Sequence, residues 1–311
     1  MLHTFQTLFP VFAIVGLGYL LARKGFITKP FLDELNKLVY WICLPSLIII
    51  NLDRAEDITG GSLPILATFF SATILVIGAA KLVAKGLGLE RWQHGTLMQG
   101  SFRGNIAFIA IPILVYALRD LPEEESTRLI ARAVFIFAPI MIFYNITSVL
   151  VLTGGNSSQK ASIGKTFVQV LKNPLTIATV AGLCIYVLPF NLPSFLGDTL
   201  DFMGRTAAPM ALVCVGGGMA LTSMEGRYRS AVLAAGLKVF LMPLLAWMIA
   251  LPFDLAPTDM LILMVFTATP TAVASYVIAK RLHGDGAMAS GAIILSTLFS
   301  LISLSVVVGT F

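Results

Sequence analysis

Apolar runs of 18 or more residues recur along the whole 311-residue chain, parted by short connections. A helix of that length crosses roughly 30 Å of hydrocarbon. A membrane β-barrel would need alternating apolar and polar positions, and these runs are continuous. Composition agrees: 57% of the residues are hydrophobic and 12% charged, against about 25% charged in a soluble domain. The expected fold class is an all-α polytopic membrane protein without a soluble domain.

The runs place spans at 4–23, 31–52, 62–84, 93–118, 129–153, 167–189, 195–222, 229–251, 258–280 and 286–310. Charge orders them. With the N-terminus outside, the inside connections carry Arg23, Lys24 and Lys29, then Lys81, Lys85 and Arg91, then Lys160, Lys165 and Lys172, then Arg227 and Arg229, then Lys280 and Arg281. The outside connections hold Arg54, Arg119 and Arg128 and are rich in acid: Asp53, Glu56, Asp57, Glu123, Glu124, Glu125, Asp254 and Asp259. Lysine and arginine collect on the cytoplasmic side, so both termini are expected on the non-cytoplasmic side of a cell (inner) membrane. The opening "MLHTFQTLFPVFAIVGLGYLLARKG" has its basic residues after the apolar run, which favours a retained first helix over a cleaved signal.

Several function classes find no support. The basic residues are scattered between apolar runs with no interleaved aromatics, so the net charge of +5 is no nucleic-acid signal. Cys43, Cys184 and Cys214 lie in apolar runs without metal or disulfide spacing. His3, His94 and His283 fall near span ends, and neither an HExxH nor a Walker loop is present. No metal, no cofactor and no enzymatic activity are expected.

The prolines repeat. Pro10 and Pro45 are 35 residues apart, as are Pro174 and Pro209, and Gly18 and Gly182 keep the same offset as the first prolines of each set. Gly104-Asn105 begins 94 residues after Pro10, and Pro270-Thr271 begins 96 after Pro174. Two halves of five spans are implied, residues 1–155 and 156–311. Because five is odd, the second half enters the membrane inverted, the plan of many secondary transporters.

Two spans carry breaks. In "QGSFRGNIAFIAIP", Gly100, Gly104 and Pro112 weaken the fourth span around Ser101, Arg103 and Asn105. An arginine at that depth costs several kcal/mol unless it faces protein or water, and irregular backbone is tolerated there only where it is buried or lines a cavity. The ninth span has a polar centre around Pro270 and Thr271 in "TATPTAVASY". Broken helices 4 and 9 are expected to cross at mid-membrane. Half-helix N-termini at the crossing suit an anion, and Asn105 and Thr271 supply donors. Tyr144 and Asn145 face either the site or a neighbouring helix, and Lys238 either supports the site or snorkels to the surface. Pro45, Pro112, Pro209 and Pro270 are the expected helix breaks. No Asp or Glu lies near the middle of any span, which weighs against a carboxylate proton relay.

"GNIAFIAIPIL", with proline seven residues after asparagine, resembles the fourth-helix motif of the auxin efflux carrier family. "TPTAVASYVIAKRLHGDGAMASGAIILST" is similar to its ninth and tenth helices, and "FYN" at 143–145 to its fifth. The resemblance implies a ten-helix, five-plus-five inverted repeat. It also implies a scaffold of spans 1, 2, 6 and 7 that forms a homodimer, and a transport domain of spans 3–5 and 8–10 that moves as an elevator. It implies an organic-anion substrate, such as a mono- or dicarboxylate, at a crossover containing Asn105 and Pro270. Thr271 replaces an amide-type residue of plant members, and the connection near 154–166 is short, so a bacterial member is expected. The alternatives are a membrane-embedded sensor without net transport, or an ion-coupled carboxylate importer.

Overall fold

The computed structural model describes residues 2–55, 61–154, 168, 171–188, 192–222 and 228–311. Lys160, Lys165, Glu56, Asp57 and Arg227 lie outside the described residues. Every regular element among the described residues is helical, and the one β-type pairing is an isolated antiparallel bridge between Gly104 and Thr271.

The chain opens with α1 (Leu2–Arg23), then α2 (Lys29–Leu38) and α3 (Leu44–Asp53), joined without interruption by a π-turn at Val39–Cys43. Next come α4 (Ser62–Gly86) and α5 (Arg91–Phe102). A π-turn at Ile106–Ala110 then leads into α6 (Ile111–Ala117). After α7 (Glu123–Thr153), α8 (Pro174–Val187) and α9 (Ser194–Leu221), a third π-turn (Leu237–Leu241) joins α10 (Tyr228–Gly236) to α11 (Met242–Ala250). The chain closes with α12 (Pro257–Ala268), α13 (Ala274–Arg281) and α14 (Gly286–Thr310).

Among the described residues, six helical stretches are long and apolar enough to cross a bilayer: Gln6–Arg23, Lys29–Asp53, Ser62–Gly86, Glu123–Thr153, Tyr228–Phe253 and Gly286–Thr310. Shorter apolar helices cover Ile106–Ala117, Pro174–Val187 and Pro257–Ala268. α9 has the length, at 28 residues, but its first half carries Asp198, Asp201 and Arg205.

All three π-turns have one cause. Pro45, Pro112 and Pro243 each occupy the second position of the helix that follows. A proline ring clashes with the carbonyl four residues back and cannot bond to it. Those carbonyls belong to Trp41, Phe108 and Val239, each inside the widened turn, so the extra residue absorbs the clash and the helix runs on. The breaks expected at Pro45 and Pro112 are therefore π-turns. Pro209 leaves α9 continuous: one lost backbone bond does not interrupt a helix packed along its length against α1.

The deepest burial belongs to the interrupted helices. Every residue of α12 from Asp259 to Ala268 is buried, as are Gln99–Phe102 of α5 and Ile111–Leu114 of α6. The long helices around them expose Phe9, Leu63, Leu82 and Phe202, the surface an apolar solvent favours. Glycine sets the closest helix approach, between α1 and α9. A Cβ at Gly18 would stand 2.5 Å from the Val213 carbonyl oxygen, and one at Gly216 would strike the Val15 carbonyl. Backbones this near gain packing that lipid cannot replace.

Candidate functional site

α5 stops at Phe102 because the next residues leave helical space: Arg103 has φ −77° and ψ 92°, and Asn105 φ −86° and ψ 63°. α12 stops at Ala268 because Pro270 pushes its predecessor out of the α region, and Thr269 has φ −60° and ψ 147°. The two extended segments pass each other antiparallel. Asn105 N–H donates to the Pro270 carbonyl at 2.8 Å, and Ala272 N–H donates to the Arg103 carbonyl at 2.8 Å. Two breaks far apart in sequence thus satisfy each other with backbone bonds, as buried irregular chain must.

Four half-helix ends meet at this crossing, and they are treated differently. The carbonyl ends are capped. Thr271 Oγ1 donates to the Gly100 carbonyl at 2.7 Å, Thr269 Oγ1 to Phe266 at 2.9 Å, and the Lys238 ammonium to Thr267. The amide ends are left more open. Ile109 and Ala110 both bond back to the Asn105 carbonyl, so the N–H groups of Ile106, Ala107 and Phe108 have no acceptor within their own helix. The Asn105 side chain makes no hydrogen bond among the described residues. Ser275 Oγ, at the start of α13, is buried and unpartnered there as well. Thr271 N–H is anchored on Ser296 Oγ of α14 at 2.9 Å.

Two buried cations flank the crossing. Arg103 donates to Asn145 Oδ1 at 2.9 Å and to Ser148 Oγ at 3.1 Å, and lies 5.8 Å from the centre of the Tyr144 ring. Phe69 and Phe102 pack on that ring. Lys238 is fully buried against Gly104, where a Cβ would come 3.3 Å from its Nζ. Among the described residues neither cation has a carboxylate within an ion pair. The result is a buried, basic crossing with open donors, an environment that favours an anion.

The sequence profile of the family described as Membrane transport protein matches residues 3–308. The chain belongs to this family, that of the auxin efflux carriers. It is similar to a Rhizobium meliloti (strain 1021) protein named "Putative malonate transporter", with 24% identity over 298 residues, 94% of this chain and 90% of that one. It is also similar to an "Uncharacterized transporter" of Methanothermobacter thermautotrophicus, with 24% identity over 307 residues, 96% and 95% of the two chains. This auxin efflux carrier relative is thus a multi-pass membrane transport protein.

Within this family member, Arg103, Gly104, Asn105, Pro270 and Thr271 come together at the crossing, with Tyr144, Asn145 and Lys238 beside them. Lys238 does not snorkel; its stem and ammonium are wholly inside. Ser101 is in the last turn of α5, its hydroxyl spent on the Leu97 carbonyl at 2.8 Å. Sequence reasoning missed Ser148 and Ser296, because hydroxyls are common in membrane helices and carry no spacing signal. It also read Asp259 as a loop acid. Asp259 is buried, 2.7 Å from the Arg132 guanidinium. At the first turn of α5, Gln93 Nε2 likewise donates to buried Asp285 Oδ2 at 3.0 Å.

Proposed function

We propose that this protein is a carrier of small organic anions, mono- or dicarboxylates such as malonate, held at the crossing of the two broken helices. The observation that carries it is the pair of buried cations without carboxylate partners, set beside half-helix N-termini whose donors are open. The name of the Rhizobium meliloti relative points to the same substrate class. Asn105 Nδ2 and the first N–H groups of the Ile106–Ala110 turn take one carboxylate, with Thr271, Pro270 and Ser275 on the facing segment.

We read the chain as ten spans in a five-plus-five inverted repeat, and internal correspondences support that reading. Gly104-Asn105 and Pro270-Thr271 stand 166 residues apart, and so do Gln93 and Asp259. Gln93 ties the start of one broken helix to Asp285, the N-cap of α14, and Asp259 ties the start of the other to Arg132 of α7. Those bonds join helices 4 and 10 and helices 9 and 5, which an inverted repeat exchanges. α1 packs on α9 and α3 on α8, the pairings expected of spans 1 and 7 and of spans 2 and 6. These four spans form the scaffold and the dimer interface. The remaining six slide against it as an elevator, in an inner membrane with both termini on the non-cytoplasmic side. An inside-negative potential drives a bound anion outward.

The test is uptake of labelled malonate and other carboxylates into proteoliposomes, with and without an imposed potential. Saturable, potential-sensitive flux abolished by Asn105→Ala is the expected result. Binding without flux under every gradient would identify a sensor instead, and strict dependence on an inward ion gradient an ion-coupled importer.

A further inference from the structure

The two carbonyl ends at the crossing are capped by unlike groups. The end of α5 receives a neutral hydroxyl, Thr271 Oγ1 on the Gly100 carbonyl. The end of α12 receives a lysine amino group, Lys238 Nζ on the Thr267 carbonyl. A half-helix C-terminus is the negative end of its dipole. In broken-helix carriers such ends, with their unwound carbonyls, are where a coupling cation binds. Here the space is already occupied. Lys238 is fully buried, Gly104 gives it room by lacking a side chain, and Thr267 turns its own hydroxyl away onto Leu263 and Met264. The lysine stem reaches this point from the π-turn Leu237–Leu241, where the widened turn re-aims the side chains ahead of Pro243.

We propose that Lys238 is a tethered cation. Its ammonium takes, at the carbonyl end of α12, the place that a free coupling cation fills in other carriers, so the crossing is complete without sodium. Lys238 is a positioning residue: it holds the α12 end and the Thr269–Thr271 segment in place for the anion. This rests on reading the crossing as the centre of a carrier, and it accounts for the lack of an intramembrane carboxylate among the candidate site residues. A fixed cation needs no acid to hold it; a dissociable one does.

The test is thermal unfolding of the full chain in lipid nanodiscs, in sodium, potassium or choline chloride, with and without ethylammonium or n-propylammonium. Wild-type protein is expected to melt at the same temperature in all three salts and to ignore the alkylammonium ions. Lys238→Ala opens a cavity ending on the Thr267 carbonyl and loses a charge-assisted bond. It is expected to melt about 5 °C lower and to regain at least half of that loss, saturably, with n-propylammonium or sodium. Lys238→Met fills the cavity without charge and is expected to show the loss without the rescue. Saturable stabilisation of the wild type by sodium overturns the proposal even if no variant folds. So does a Lys238→Ala protein that no cation restores. Neither readout requires flux, so a failure of the anion-carrier function, seen as absent carboxylate uptake, is distinguishable from a failure of the tethered cation.

Discussion

Gly104→Ala probes how tightly the crossing is filled. The added methyl would stand 2.7 Å from Thr269 Oγ1, 3.1 Å from Lys238 Cε and 3.3 Å from Lys238 Nζ. None of these atoms is free to retreat, because Thr269 is bonded to Phe266 and Lys238 to Thr267. Forcing one methyl into a packed site costs about 1–3 kcal/mol. If Lys238 is driven off its carbonyl, a charge-assisted bond worth about 1.5–3 kcal/mol goes with it. The sum, about 2.5–6 kcal/mol, corresponds to a fall of roughly 10 °C in the melting temperature of a large domain. Gly100→Ala, one turn earlier, is the control. Its Cβ would meet only the methyls of Ala292 at 3.3 Å and Ala234 at 3.4 Å. There the gain in helix propensity, about 0.5–1 kcal/mol, offsets the crowding. Differential scanning fluorimetry of the purified variants, paired with flux, reads both. A Gly104→Ala protein that melts with the wild type, or a Gly100→Ala protein that falls as far, would refute the packing argument.

Arg132→Met leaves Asp259 charged and buried, and a loss of about 3–5 kcal/mol is expected; a double variant that adds Asp259→Leu should recover part of it in a double-mutant cycle. Gly216→Ala sets a methyl against the Val15 backbone, which cannot rotate away, so α1 and α9 must separate; chemical unfolding should show a loss of about 1–3 kcal/mol, larger than for Gly218→Ala, which meets open space. Thr271→Val removes the donor to the Gly100 carbonyl and should lower stability by about 1–2 kcal/mol, while Ser101→Ala, whose hydroxyl serves only its own helix, should change stability by less than about 0.5 kcal/mol.

The breaks were legible because their causes are local. Pro270 dictates an extended Thr269, and a glycine between arginine and asparagine is a poor helix. The identity of the partner segment was legible as well, because the two breaks follow Pro10 and Pro174 by nearly equal distances, 94 and 96 residues. The other prolines misled. Pro45 and Pro112 are absorbed by π-turns, and Pro209 by a helix that continues, because a proline fixes its own φ but not how the preceding turn accommodates it. Lys238 was equally undecidable from its neighbours: a lysine stem reaches either a surface or a carbonyl, and only the tertiary placement of Thr267 beside it selects the second. Asp259 read as a loop acid because its partner, Arg132, lies 127 residues away.

The bonds that join the two breaks run from main chain to main chain, Asn105 to Pro270 and Ala272 to Arg103. No side-chain replacement short of proline at Asn105 or Ala272 deletes them. Asn105 and Ser275, whose side-chain polar atoms make no hydrogen bond among the described residues, can therefore change without unfastening the crossing. An architecture so built separates what holds the machine together from what it recognises. Under the proposed function, cargo preference becomes an editable property, open to drift or to design, while the joint itself stays constant.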